Sequence, residues 1–439
     1  WVYSVIPNMG GKTGMTGVLD FYANGHLEAL SSSNRGNLVA HGLAPEGIEN
    51  NEVLYELVTD AGWSDHRMDV RDWLKQYSIN RYGKAPAQLM KAWDYLLKSV
   101  YGTFTDHPRF NWQFRPGLVK NGSINISDDY FKGLESFVAA SEELKDSPYY
   151  LTDLCEMTAH YLGGKAEILT RQIDQEYLLG DTLQAHFLQS RFETFMLGMD
   201  RILSQHPTLR LDRWVSFASK AARTEAQRKQ YEMNARRIVT VWGPPVDDYS
   251  ARMWSGLVGS YYLGRWKEYY KGRDSGKSAD LSSWERKWVE ENRVYKKWNS
   301  DFDLIDFSRK MIGLSQDISS ADLLLNRPAM IGTWSLARNS SKDLLFNIPA
   351  RMLVGLNGVS LECLKGKGDI EVTGLVLEAD GKVIYSSSDR VLSDEGILNL
   401  KLEIPANVTA NNGCVLKLKI KSSTDSAAGI VICVNKKQS

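Results

Sequence analysis

The side chain best placed to do chemistry lies in the run Gly42-Leu43-Ala44-Pro45-Glu46-Gly47-Ile48-Glu49-Asn50-Asn51-Glu52. Pro45 fixes φ on one side of Glu46, and Gly47 removes a side chain on the other, so the carboxylate can be presented to a pocket with little freedom. Glu49 would open the helix that follows, where a negative charge suits the helix dipole. Glu52 and Glu56, spaced i, i+4 away from the apolar stripe, read as solvated helix residues. Among 53 acidic residues a single glutamate is a weak sign. What distinguishes Glu46 is its place after a strand and before a helix, at the edge of a β/α architecture where active sites gather.

A second cluster is Val239-Thr240-Val241-Trp242-Gly243-Pro244-Pro245, followed by Asp247, Asp248 and Tyr249. Trp-Gly-Pro breaks a helix and leaves Trp242 at its end, where the indole either flanks a pocket or plugs a domain junction. Aromatic faces of this kind stack on sugar rings. Gly10-Gly11-Lys12-Thr13 suggests a phosphate loop, but that loop requires a glycine where Ile6 stands. The seven histidines are dispersed without ligand spacing, and neither HExxH nor CxxC occurs. No metal and no cofactor is expected.

These groups sit on three kinds of pattern. Residues 1–67 alternate strand, loop and helix: a strand over Trp1–Ile6, a helical run through Leu19, Phe21 and Leu27–Leu30, and a strand over Asn37–Ala40. A helix after Asn50 or Asn51 follows, striped by Val53, Leu54, Leu57 and Val58. This is βαβα grammar. Residues 68–315 are helical, with Leu151, Leu154, Cys155, Thr158 and Leu162 at the 3.6-residue period. Residues 316–439 change period: Leu398, Leu400, Leu402 and Ile404 alternate with polar neighbours, as do Leu416, Leu418 and Ile420. Asp380-Gly381 marks a hairpin, and the segment reads as a β-sandwich. The fold class is therefore multidomain: α/β, then all-α, then all-β.

The chain has 439 residues, with 53 Lys+Arg against 53 Asp+Glu. Zero formal charge removes the electrostatic footprint of a nucleic-acid binder. A neutral, polar ligand fits better. No stretch approaches the ~20 apolar residues of a membrane span. Trp1 looks like a processed or truncated start, so a targeting signal would lie outside the sequence read here. The four cysteines, Cys155, Cys363, Cys414 and Cys433, read as buried thiols rather than a disulfide frame.

The two clusters together resemble a family. Asn8-Met9-Gly10-Gly11, Leu43-Ala44-Pro45-Glu46-Gly47-Ile48 with Asn51-Glu52-Val53 behind it, and Trp242-Gly243-Pro244 with Asp248-Tyr249 are similar to the α-N-acetylglucosaminidases of glycoside hydrolase family 89. Arg81-Tyr82-Gly83 and Ser99-Val100-Tyr101 fit the same alignment, which is collinear over roughly residues 1–270. The resemblance implies a retaining exo-glycosidase built as a (β/α)8 barrel followed by an all-α domain, acting on glycans with terminal α-linked N-acetylglucosamine. It implies that Glu46 is the catalytic nucleophile. Trp242 and Tyr249 would be aromatics that the helical domain adds to the substrate pocket, and Asn8 and Met9 a strand-end loop lining it. Met9 stands where the family commonly has an aromatic, and His107 aligns with a pocket histidine. The sugar's own acetamido oxygen is a rival nucleophile, but it needs a second acidic group beside the acid, which the sequence does not offer.

Residues 1–67 can supply only the last two or so β/α units of such a barrel, which takes ~200–250 residues. The general acid/base glutamate would then lie before Trp1, making the N-terminal remainder of the same enzyme a required partner. The tail over 316–439 suggests an accessory module on a bacterial relative, exported to the periplasm or outside the cell; the animal relatives are lysosomal. The alternative from another class is a non-catalytic carbohydrate-binding or scaffold fragment.

Overall fold

The computed structural model describes residues 1–10, 14–47, 51–103, 109–116, 126–178, 181–243, 247–291, 298–299, 302–319, 330–348, 353, 356–365, 370–388, 391–393, 397–402, 413–422 and 426–435. They fall into two compact units: residues 1–167 with 190–318, and residues 168–189 with 319–439.

The first unit opens with β1 (Val2–Val5), α1 (Leu19–Ser31), β2 (Ala40–Leu43) and α2 (Glu52–Ala61). The strands pair in parallel, Val2 opposite Ala40 and Val5 opposite Leu43. The second strand therefore falls three residues later than its composition suggests. Gly42, a poor strand former by propensity, is there because its face is crowded. A Cβ at Gly42 would meet Val2 Cγ1 and Ser4 Oγ at 3.1 Å. The outer residues of the pair stay in solvent, Val2 at 48% and Val39 at 77% exposure. The apolar stripe of α2 is buried as the period predicts. Asn51 precedes α2 in a left-handed conformation, φ 60°. Its amide donates to the Thr16 carbonyl (3.2 Å) and its oxygen accepts from Tyr101 Oη (2.7 Å), so the side chain ties loops together instead of capping the helix.

Helices follow: α3 (Val70–Tyr82), α4 (Ala87–Lys98), α5 (Asp128–Ala139), α6 (Ser141–Leu144), α7 (Pro148–Leu178), α8 (Thr182–Leu203), α9 (Leu211–Ala221), α10 (Glu225–Ile238), α11 (Leu263–Ser275), α12 (Leu281–Glu290) and α13 (Leu304–Gly313). Local sequence sets many of their ends. Asp69, Ser127, Thr224, Asp280 and Asp303 accept backbone N–H groups as N-caps of α3, α5, α10, α12 and α13. Gly83 closes α3 at φ 86°. A π-helical turn over Leu257–Tyr262 precedes α11. Buried Asp200 secures it, accepting the N–H groups of Gly256 (2.6 Å) and Gly259 (2.8 Å) and the indole of Trp298 (2.6 Å). Trp93, Trp112 and Trp288 are fully buried packing residues of this unit.

In the second unit the strands are β3 (Met330–Leu336), β4 (Ser341–Ile348), β5 (Leu356–Lys365), β6 (Ile370–Ala379), β7 (Lys382–Ser387), β8 (Val391–Leu392), β9 (Ile397–Lys401), β10 (Cys414–Ser422) and β11 (Ala427–Asn435). They form two sheets, β4-β10-β6-β7 with β8 beside β6, and β3-β11-β5-β9. Every pairing within them is antiparallel. Period two is obeyed: Leu416, Leu418 and Ile420 point into an apolar cluster that both sheets share, while Lys417, Lys419 and Lys421 face water. Asp380 (φ 49°) and Gly381 (φ 75°) make the β6–β7 hairpin turn anticipated from sequence. Cys155, Cys414 and Cys433 are buried free thiols. No helix among the described residues is long and apolar enough to cross a membrane.

Candidate active site

Glu46 stands just past β2, where Ala44 still donates to the Val5 carbonyl (3.0 Å). Two segments far from it in sequence converge on it. Its Oε2 accepts the Tyr249 hydroxyl at 2.7 Å and the backbone N–H of Gly10. Gly10 can offer that N–H because it takes φ 70°, and its carbonyl is in turn held by the guanidinium of buried Arg252. Trp242 packs edge-on against Tyr249, centroids 5.5 Å apart, and remains 43% exposed. The result is an open carboxylate with two donors on one oxygen and an accessible indole nearby. Both donors favour its ionised form. The hydrogen bond to Glu46, ahead of burial, raises the phenol of Tyr249 above its usual value, so Tyr249 stays a donor.

Asn8 is where the strand-end loop was expected, but it does not line an open surface. It is buried, donating to the Gly47 carbonyl (2.9 Å) and to Tyr55 Oη (2.7 Å) and accepting the Glu46 N–H (3.3 Å). Tyr55 Oη donates to the same Gly47 carbonyl at 2.7 Å. Asn8 thus holds the Glu46 loop in place, a role better suited to a buried amide than sugar contact. Met9 is half-buried beside it. His107, Glu49 and Pro244 lie outside the described residues.

Glu52 corrects the sequence reading. It is not a solvated helix residue: it is half-buried and lines a partly open pocket with Asp153 and Glu156 of α7, Asn51, Tyr82 and Tyr101. Burial, reinforced by Glu156 and Asp153, pushes Glu52 up to about 8. Glu156 also reaches about 8, from burial first and Asp153 second. Asp153 takes the ion pair, with Arg81 donating to both its oxygens (2.6 and 2.7 Å) and Tyr82 Oη adding a third bond (2.7 Å). Glu56, by contrast, is half-exposed and 3.7 Å from Arg81. The i, i+4 pattern missed this because α7, not solvent, covers the polar face of α2 at its first turn.

Beside Tyr249 lies a charge cluster of which the sequence singled out only Asp247 and Asp248. Asp248 accepts Arg265 Nη1 on both oxygens (2.9 and 3.0 Å), and Arg265 also donates to Glu285 (2.9 Å) and to the Gln113 carbonyl (2.8 Å). Arg115 pairs with Glu285 and stands 3.5 Å from Asp247. Arg109 donates to the Asp248 carbonyl and packs over Phe114 at 3.6 Å. Three cations thus face three carboxylates, the balance that buried charge requires. Among the described residues no group of acidic, histidine or cysteine side chains could hold a metal ion.

Comparison with known proteins identifies the family to which these residues belong. The profile of the α-N-acetylglucosaminidase C-terminal domain matches residues 73–314, and that of the α-N-acetylglucosaminidase TIM-barrel domain matches residues 1–65. Human α-N-acetylglucosaminidase is 30% identical over 284 residues, which is 61% of this chain and 37% of that protein. A family 89 glycoside hydrolase from Clostridium perfringens, solved with PUGNAc, superimposes with TM-score 0.66 at 25% identity over 74% of this chain and 40% of that one. A variant of the Clostridium perfringens protein with two Glu→Gln changes, in complex with its substrate GlcNAc-α-1,4-galactose, does so with TM-score 0.66 at 24% identity. The chain thus spans about two-fifths of the length of these relatives.

Proposed function

We propose a function from one premise: the chain belongs to the α-N-acetylglucosaminidase family. It supplies the nucleophile and part of the sugar pocket of a retaining exo-glycosidase that removes terminal α-linked N-acetylglucosamine from glycans. The observation that carries this reading is the Glu46 carboxylate, open on one side, with Tyr249 Oη at 2.7 Å and the Gly10 N–H on the same oxygen. The names of the relatives supply the sugar.

In the first step a carboxylate oxygen of Glu46 attacks C1 from the face opposite the leaving group. The C1–O bond breaks, and a second carboxyl group ~5–5.5 Å away protonates the departing oxygen. In the second step that group takes a proton from water, whose oxygen attacks C1 and releases Glu46 as carboxylate. The second carboxyl belongs to a barrel portion of the same enzyme preceding Trp1. On this reading residues 1–67 are the last β/α units of a (β/α)8 barrel, 68–315 an all-α domain completing the site, and 316–439 a β-sandwich accessory module. The enzyme is exported.

The test is Glu46→Gln in the complete enzyme, assayed on a nitrophenyl α-GlcNAc. Turnover should fall by several orders of magnitude while the sugar still binds, and the wild-type product should keep the α configuration. Near-normal turnover would rule out the nucleophile.

A further inference from the structure

The loop carrying Tyr249 is held by charges that touch no reacting atom. Asp248 sits at φ 58°, a left-handed conformation uncommon outside glycine, though aspartate adopts it more readily than most residues. The surroundings here are explicit. Its N–H donates to the Thr240 carbonyl (3.0 Å), and its own carbonyl accepts from Arg109. Its carboxylate accepts Arg265 Nη1 (2.9 and 3.0 Å) and the Arg115 N–H (3.1 Å). Arg265 cannot move to accommodate a different loop. It is fully buried and bonded to Glu285 and the Gln113 carbonyl as well.

We infer that Asp248 is a positioning residue: its carboxylate, locked onto Arg265, fixes the backbone rotation that delivers the Tyr249 hydroxyl to Glu46. The dihedrals at residue 248 set the direction in which the side chain of residue 249 leaves the chain. A turn from the left-handed to the right-handed region would swing the phenol away and remove one of the two donors on Glu46 Oε2. The inference rests on the reading of Glu46 as nucleophile, and it adds the route by which the helical residues govern that carboxylate.

The test uses the full-length enzyme with a nitrophenyl α-GlcNAc. kcat and kcat/KM are followed against pH for wild type, Tyr249→Phe, Asp248→Asn and the double variant. Tyr249→Phe should lower kcat/KM roughly ten- to a hundredfold, the range for a hydrogen bond to a charged group. It should also raise the acid limb by roughly one pH unit, because the carboxylate loses a donor. Asp248→Asn, which tolerates the same dihedrals, should move the limb in the same direction. The double variant should be no worse than Tyr249→Phe alone. Additive losses, or an Asp248→Asn enzyme that melts earlier yet keeps the wild-type kcat and limb, would overturn the proposal. If Asp248→Asn does not fold, Asp248→Gly adopts the conformation freely but lacks the carboxylate; a wild-type limb there overturns it equally. Normal turnover in Glu46→Gln would sink the parent reading, whereas an inactive Glu46→Gln with an unmoved limb in Tyr249→Phe would sink this inference only.

Discussion

Replacing Glu156 by glutamine should turn a pH-sensitive contact between α2 and α7 into an insensitive one. Glu156 is held at about 8 in the folded chain by burial, with Asp153 adding and the Asn51 N–H and Arg81 opposing. The unfolded value is near 4.5. With the folded pKa above the unfolded one, the stabilisation is full below pH ~4.5 and is lost as pH rises toward 8. Between pH 5 and pH 7 one such group costs on the order of 2–3 kcal/mol, a few degrees in Tm for a unit of this size. The wild-type profile alone will not isolate this, because buried His206 works in the other direction. Burial lowers it to about 4, so it destabilises as pH falls below its unfolded value. The difference between variant and wild type removes His206 from the comparison and leaves Glu156 together with Glu52, whose rise Glu156 reinforces. Glutamine mimics the protonated acid, so the stability that Glu156→Gln gains over wild type should be small at pH 5 and grow by that amount by pH 7. Thermal unfolding followed by circular dichroism at half-unit pH steps is the assay. Parallel wild-type and variant curves across that window would refute the reasoning.

Trp242→Ala in the complete enzyme should raise KM for the terminal sugar more than it lowers kcat; unchanged constants would make the indole a packing residue. Asp200→Ala strands the N–H groups of Gly256 and Gly259 and the Trp298 indole, and should lower stability by about 3 kcal/mol in denaturant titration. Gly259→Ala places a methyl 2.7 Å from the Asp200 carboxyl carbon and should destabilise the same turn, whereas Gly276→Ala meets no atom and suffers only its left-handed φ of 65°. Arg81→Lys keeps a charge but loses the two-pronged bond to Asp153, and should melt earlier than wild type at pH 7.

Much of this was legible in the sequence for identifiable reasons. Period two announced β10, Asp380-Gly381 announced the β6–β7 turn, and Pro45-Glu46-Gly47 announced an exposed carboxylate. Those signals are local. The partners of Glu46 were less visible. Tyr249, 203 residues away, entered through the family resemblance as a pocket aromatic and not as a donor to Glu46, and Gly10 contributes a backbone N–H that no side-chain pattern encodes. Arg252 and Arg265 look like ordinary surface charges in a chain with 53 residues of each sign, and Asp248 stood out only as part of the Asp248-Tyr249 motif; tertiary packing makes all three buried. β2 was misplaced because Gly42 has low strand propensity and is retained for clearance. Glu52 was misjudged because helical periodicity says which residues share a face and nothing about what covers it.

The parallel pair of β1 and β2 has a practical outcome. Parallel strands are normally covered on both sides, yet Val2, Ile6 and Val39 stand in water, and neither strand has a further hydrogen-bonded neighbour among the described residues. Two rows of amide and carbonyl groups are left as templates for any extended segment that drifts past. Handled by itself at high concentration, the chain should therefore self-associate through its main chain, and surface charge changes remote from these rows would do little to prevent it.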